Sequence, residues 1–126
     1  EDIGIAIVKE MGEENHEVFN VYAINFKEET IEGVLVTSRG YGFDRNTNQN
    51  IKTSQLRHFL DVLPGQSFKK IEPIMEDVFG LNNEYWLSFF HENKMYDKKY
   101  IFLPETISEA NLRDIKIINK RGVLIR

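Results

Sequence analysis

Short stretches of alternating hydrophobic and polar residues recur along the whole chain, each ended by turn-forming residues. Ile3, Ile5 and Ile7 alternate with smaller residues before the polar turn at 11–15, a pattern typical of a β-strand. Helical periodicity is almost absent. Counting to Leu103, the alternation predicts about seven strands, which begin near Ile3, Val18, Ile31, Leu56, Phe68, Tyr85 and Tyr96.

Turn and breaker residues refine the boundaries of these elements. Gly40-Tyr41-Gly42 is predicted to bend the chain and end the third strand, and residues 44–50 are predicted to form an irregular polar loop. Pro64-Gly65 suits a hairpin between the fourth and fifth strands. Pro73 cannot donate to a strand on both sides, so the fifth strand should lie at a sheet edge. Strands 85–91 and 96–103 should pair as a hairpin.

Residues 54–63 allow two readings. Leu56, His58 and Leu60 alternate as in a strand, whereas Leu56, Phe59 and Leu63 fit one face of a helix, with Ser54 as its cap. Neighbouring strands favour the strand.

The spacing of the strands predicts an all-β fold, an antiparallel immunoglobulin-like β-sandwich of about seven strands. Residues 1–104 would form the sandwich within a single domain, 1–126. Residues 105–126, rich in Ile, Val and Leu, would form a short C-terminal extension that docks on it.

Composition supports one globular domain and limits its chemistry. The chain has 126 residues, 41% hydrophobic, with a net charge of −4 and no cysteine, which excludes thiol catalysis and cysteine-based metal sites. No apolar run is long enough for a membrane helix, and the acidic start at Glu1 is unlike a signal peptide. Because Glu1 is not Met, a processed or trimmed form is expected. A cytoplasmic protein without membrane contact is predicted.

Charge is distributed unevenly along the chain. Residues 1–50 carry four bases against ten acids, and residues 93–126 carry eight bases against four acids. Such polarity can steer an anionic partner or pair two copies head to tail. The basic and aromatic stretch 94–100 has the side chains that stack on bases, but the overall pI of about 5.4 makes nucleic acid an unfavoured partner.

Candidate binding residues fall on predicted loops and outer faces. Arg39 and Tyr41 form a recognition pair beside the glycines, and Arg57 and His58 form a second. If Tyr85, Leu87 and Phe89 fill the core, Trp86 points to the outer face of the sheet, as does Phe90. Two large outer aromatics should be covered by the C-terminal extension or by a second copy.

Catalytic and metal-binding patterns are missing. The three histidines lack a helical zinc spacing, and no serine lies in a G-x-S-x-G elbow. A calcium loop starting at Asp44 fails because Gln49 and Gln55 replace the required Gly and Glu. Only Glu72, between Ile71 and Pro73, is a carboxylate expected to be partly buried. We therefore predict no metal, no cofactor and no enzymatic activity, and a Ser-His-acid site assembled across the sandwich stays an alternative.

Several segments together resemble a known family. They are VLVTSRGY at 34–41, LRH at 56–58 with Leu63-Pro64, NEYWLSFF at 83–90, MYDKKYIF at 95–102 and NKRGVL at 119–124. The chain resembles a family of short, uncharacterised bacterial proteins, some of which are labelled as a phenylalanyl-tRNA synthetase subunit. The resemblance implies a domain family and supplies no catalytic residues.

These observations predict a protein-binding or self-associating β-sandwich domain, as a homo-oligomer or with a protein partner. The alternative is an accessory module for tRNA or an aminoacyl-tRNA synthetase, using the basic C-terminal third. A class II synthetase site needs a large antiparallel sheet with surrounding helices, which one 126-residue sandwich does not provide.

Overall fold

Ten β-strands, arranged in two antiparallel sheets, make up the framework of the computed structural model, which describes residues 2–126 and leaves Glu1 outside the described residues. The strands are β1 Ile3–Met11, β2 Glu17–Asn25, β3 Ile31–Asp44, β4 Gln49–Lys52, β5 Leu56–Leu63, β6 Ser67–Ile74, β7 Asn82–His91, β8 Lys94–Phe102, β9 Arg113–Ile115 and β10 Lys120–Ile125. The prediction of an all-β chain is confirmed, but the count of about seven strands is wrong.

The first sheet has the strand order β6-β2-β1-β10-β9, and the second has β4-β3-β7-β8, with β5 also paired to β3. The two sheets face each other across a shared core of buried aliphatic and aromatic side chains, among them Ile5, Ile7, Val36, Leu87 and Tyr100. Alternation with a period of two sends every second residue of β1 and β7, and of β3 from Val34 onward, into this core.

The C-terminal residues belong to the first sheet. Strand β10 pairs with β1 from Ile5↔Ile125 to Lys9↔Arg121, and β9 pairs with β10. The turn between them places Ile115 and Ile118 against Ala6, Val8 and Ile24 in a second apolar cluster. This cluster covers the outer face of β1, which explains why β1 is buried on both faces.

Strand β3 corrects two sequence predictions. Gly40 and Gly42 do not end it, because β3 continues to Asp44 and pairs with β4 across a turn at 45–48. The predicted loop 44–50 is thus mostly a hairpin. A Cβ on Gly42 would lie 2.9 Å from the Leu81 side chain, so this glycine permits close packing.

Residues 56–63 form a strand, which confirms the favoured reading. A bulge around Asp61, with φ of 61°, shifts the alternation, so that Leu60 and Leu63 are both buried. Pro64-Gly65 does not close a hairpin, because β5 belongs to the second sheet and β6 to the first. Strand β6 lies at an edge, as Pro73 predicted.

The hairpin of β7 and β8 is confirmed. His91 pairs with Lys94 across the two turn residues, Glu92 and Asn93, which have φ of 51° and 65°. Two positive φ values in succession define the type I′ turn, whose twist matches the flanking strands. Within residues 2–126 we find no helix with the length and apolar character needed to cross a membrane.

Candidate binding surface

The outer face of the second sheet carries a group of exposed hydrophobic side chains. Trp86 and Phe90 of β7 are 45% and 47% exposed, Met95 of β8 is 63% exposed and Phe59 of β5 is 68% exposed. Leu35 of β3 lies between them, opposite both Phe59 and Ser88. We call these five residues the apolar patch.

The strand register brings the five residues of the patch close together. Phe59 lies beside Leu35, Met95 lies beside Phe90, and Ser88 separates Phe90 from Trp86 along β7. Directly opposed side chains on one face of an antiparallel pair are about 5 Å apart. A hollow of about 430 Å³ lies over Leu35, Trp86 and Met95, among other residues.

The backbone of β3 is shaped to accommodate Phe90. Gly33 has φ of 59°, a backbone conformation that residues other than glycine rarely adopt. The register between β3 and β7 shifts at this point. A Cβ at Gly33 would lie 3.0 Å from the Phe90 ring. The glycine therefore leaves room for the ring to pack close to the β3 backbone.

An ion-pair cluster lies next to the patch. Arg39 Nε donates to Glu84 Oε2 at 2.9 Å, and the Arg39 guanidinium lies 5.3 Å from the Tyr41 ring centre. The Tyr41 hydroxyl donates to Glu84 Oε1 at 3.4 Å. The hydrogen bond to Glu84, followed by the charge of that carboxylate, raises the pKa of Arg39.

Arg39 lies between two hollows. It lines the hollow above the apolar patch and a neighbouring one of about 650 Å³, which is also lined by Tyr41, Phe43, Ile51 and Lys52. The sequence singled out Arg39 and Tyr41 but missed Glu84. Glu84 is only 5% exposed, and its sequence neighbours, Asn83 and Tyr85, gave no signal for its burial or its partner.

Lys99 contributes a cation to the same face. Its Nζ lies 4.9 Å from the Trp86 ring centre, in a cation–π contact. Arg57 of β5, opposite Thr37, is exposed on this face as well. The charged side chains around the patch are three bases and three acids: Arg39, Arg57, Lys99, Glu32, Glu84 and Asp97.

His58 does not belong to the surface, although it follows Arg57 in the chain. It points between the sheets, where its Nε2 lies 2.7 Å from Glu72 Oε1. Ser38 Oγ donates to the same oxygen at 2.9 Å, and the Tyr85 hydroxyl donates to Oε2 at 3.1 Å. Glu72 is thus partly buried, as its sequence neighbours predicted, and links β6 to three strands of the other sheet.

This inter-sheet cluster of Ser38, His58, Glu72 and Tyr85 differs from a catalytic triad. In a triad the histidine accepts the serine proton, whereas here serine and histidine bond the same carboxylate oxygen. Burial, together with Glu72, raises the pKa of Tyr85 above its usual range, which keeps its hydroxyl protonated as a donor.

Two covers were predicted for Trp86 and Phe90, and one of them, the C-terminal extension, is wrong. The C-terminal strands lie in the first sheet, so they do not reach these rings. Cover by a second copy stays a prediction. In the part of the chain that the structure describes, no three acidic or histidine side chains come together as a metal site would require.

Comparisons with protein-family models, with characterised proteins and with solved structures gave no significant match.

Proposed function

We propose that this chain is a non-catalytic β-sandwich of immunoglobulin-like architecture that binds a protein through the apolar patch. The single observation behind the proposal is the exposure of two large aromatic side chains, Trp86 and Phe90, on an inner strand of the second sheet. Monomeric proteins rarely leave such contiguous apolar surface in water, and aromatic residues dominate the energetics of protein interfaces.

The charges around the patch favour a protein over a nucleic acid. Three bases and three acids surround it, and Arg39 is neutralised by Glu84 at 2.9 Å. A protein surface that binds nucleic acid needs basic side chains without acidic partners, because these neutralise the phosphates. A balanced border around an apolar centre is the usual anatomy of a protein interface.

The alternative of an accessory module for tRNA or a synthetase would use the basic C-terminal third. Several of those bases have local partners. Lys120 Nζ lies 3.6 Å from Glu10, Arg113 donates to the carbonyl of Ala110, and Arg121 donates to that of Leu112. They would have to exchange these contacts to hold phosphates, so we place this function second.

Site-specific photo-crosslinking in the producing cells tests the proposal. A benzoylphenylalanine replaces Phe90 in one variant and Phe68 in a control. Phe68 lies in the first sheet and is 42% exposed, close to the 47% of Phe90. We expect a discrete protein adduct at position 90 that is absent at position 68 and is lost when Trp86→Ser is added.

The partner identified in the adduct is then purified, and its affinity is measured for the unmodified chain, for Trp86→Ser and for Phe68→Ser. The proposal expects a loss of roughly 30-fold or more for Trp86→Ser, the size of an interface hot spot, and little change for Phe68→Ser. Equal effects of both variants, or RNA as the crosslinked species, would contradict it.

A further inference from the structure

The second sheet ends at β8, and within residues 2–126 no other strand pairs with its far side. This edge is nine residues long. The edges of the first sheet are less suited to pairing, because β9 has only three residues and β6 contains Pro73 and a register shift. Strand β8 is thus the longest regular edge available for a further strand.

The hairpin turn determines which backbone groups of β8 face outward. Across a two-residue type I′ turn, the flanking residues, His91 and Lys94, form a hydrogen-bonded pair. The even-numbered residues of β8 therefore direct their N–H and C=O groups toward β7. The odd-numbered residues direct theirs to the open side, and these are Met95, Asp97, Lys99 and Ile101.

Lysines on an edge strand usually discourage pairing, but two lysines of β8 fold back onto the sheet. Lys99 Nζ lies 4.9 Å from the Trp86 ring centre and Lys98 Nζ lies 5.1 Å from that of Tyr100. Both cations are therefore held over the faces of the sheet and leave the backbone edge accessible.

We propose that β8 pairs with β8 of a second copy of this chain, antiparallel, about a two-fold axis at Lys98. In this register Asp97 lies opposite Lys99 of the second copy, twice by symmetry. Met95 lies opposite Ile101, and Tyr96 lies opposite Tyr100. Apart from Lys98, which lies opposite its own symmetry mate, the strand is thus self-complementary in charge and in apolar character.

Charge selects this register over its neighbours. An axis at Asp97 would place the two Asp97 carboxylates opposite each other, and an axis at Lys99 would do the same with two ammonium groups. Like charges directly opposed on paired strands are destabilising. The axis at Lys98 also places two lysines opposite each other, but of the three registers it alone forms two Asp97–Lys99 pairs. Each Lys98 Nζ lies 5.1 Å from the ring centre of its own Tyr100, on which the charge is held.

The dimer goes beyond the proposed function, because it uses the strand edge and leaves Trp86 and Phe90 on the open face. It joins the two second sheets into one continuous sheet, with the two apolar patches on the same side. Because Lys99 also lies over Trp86, the charge changes in β8 touch both surfaces, and Trp86→Ser, which alters the face alone, separates the two contacts.

A charge exchange on the full chain tests the register. Molar mass is measured by sedimentation over a range of protein concentrations for the unmodified chain, Asp97→Lys, Lys99→Asp and the double variant. We expect a species of twice the 14.8 kDa chain mass for the unmodified protein. Each single change should weaken dimerisation about tenfold or more, and the double variant should restore it.

A cysteine variant provides a second readout, because the chain has no native cysteine. In Lys98→Cys the two Cα atoms would be about 4.5 Å apart, within disulfide range. In the control Lys94→Cys they would be roughly 26 Å apart. Under mild oxidation we expect rapid disulfide-linked dimer from Lys98→Cys and little from Lys94→Cys.

Several results would overturn the proposal. These are a monomer at every concentration up to ~1 mM, a dimer unaffected by the single charge changes, a double variant that fails to regain the dimer, and equal crosslinking of the two cysteine variants. A dimer abolished by Trp86→Ser and untouched by Asp97→Lys would place the contact on the apolar patch instead of the edge.

Discussion

At the scale of single residues, buried and partly buried carboxylates link the two sheets and also neighbouring strands. Glu72 accepts hydrogen bonds from three residues of the opposite sheet, and Glu10 accepts them from Asn20 at 2.8 Å and Tyr22 at 2.7 Å. Sequence neighbours predicted that Glu72 would be partly buried, because Ile71 and Pro73 flank it. Its partners could not be predicted, since they depend on how the two sheets face each other.

The inter-sheet cluster leads to a stability prediction. Glu72→Ala removes the acceptor of the buried Tyr85 hydroxyl, and an unsatisfied buried donor costs about 1–3 kcal/mol. Tyr85→Phe removes the donor instead and should cost less. Urea denaturation of both variants measures the two values. Equal stability of Glu72→Ala and the unmodified chain would show that the cluster does not stabilise the fold.

Glu10 leads to a prediction about pH. Burial alone would raise the pKa of Glu10, but hydrogen bonds from Tyr22 and Asn20 and the charge of Lys120 outweigh burial and lower it from 4.5. A carboxyl with a lowered folded-state pKa stabilises the fold above its unfolded value. This stabilisation is lost as the pH falls from about 4.5 through the folded-state pKa.

We therefore expect Glu10→Gln to flatten the decline of unfolding free energy with acid below about pH 4.5. The measurement is a series of urea denaturation curves between neutral and acidic pH. Glu13→Gln, in the exposed turn after β1, is the matched control and should keep the decline of the unmodified chain. If the unfolding free energy of all three proteins declined identically in acid, the stabilising role of the Glu10 carboxylate would be contradicted.

At the scale of elements, strands with strict alternation were predicted well and those defined by pairing were not. Tyr85–His91 alternates large side chains over its whole length, so both its strand and its faces could be read from the sequence. Strand β4 and strand β9 are short and polar, and they form because β3 and β10 offer edges. Gly40 and Gly42 indicated a bend, but tight packing against Leu81 accounts for Gly42.

The C-terminal elements lead to a third prediction. Ile118 is 4% exposed in the cluster that covers β1, whereas its neighbour Ile117 is only partly buried. Ile118→Ala should lower the unfolding free energy by about 2–5 kcal/mol, and Ile117→Ala by less. Thermal and urea denaturation measure both.

Deleting residues 113–126 would also remove the β10 neighbour of β1 and expose an apolar edge. We expect this truncated chain to be less stable than Ile118→Ala. A truncated chain as stable as the full one would show that the sandwich folds without its last two strands.

At the scale of the whole molecule, the two sheets have different outer faces. The first is covered over β1 by Ile115 and Ile118, and the second leaves its aromatic side chains exposed. Alternation along β7 was enough to predict that Trp86 and Phe90 point away from the core. The position of the C-terminal strands could not be predicted, because their apolar residues suit the outer face of either sheet.

The central claim is that the apolar patch is open in the free protein and covered in the complex. Trp86 is the single tryptophan of the chain and lies within the patch, so its fluorescence reports on this surface alone. The decisive measurement is acrylamide quenching of Trp86 fluorescence in the purified chain, alone and with the protein partner that crosslinking identified. The tryptophans of that partner are replaced beforehand, so that only Trp86 is observed.

We predict efficient quenching in the free chain, including its β8-linked dimer, and strong protection with a blue-shifted emission in the complex. Trp86 that is shielded in the free chain, or equally quenched in the complex, would contradict the account.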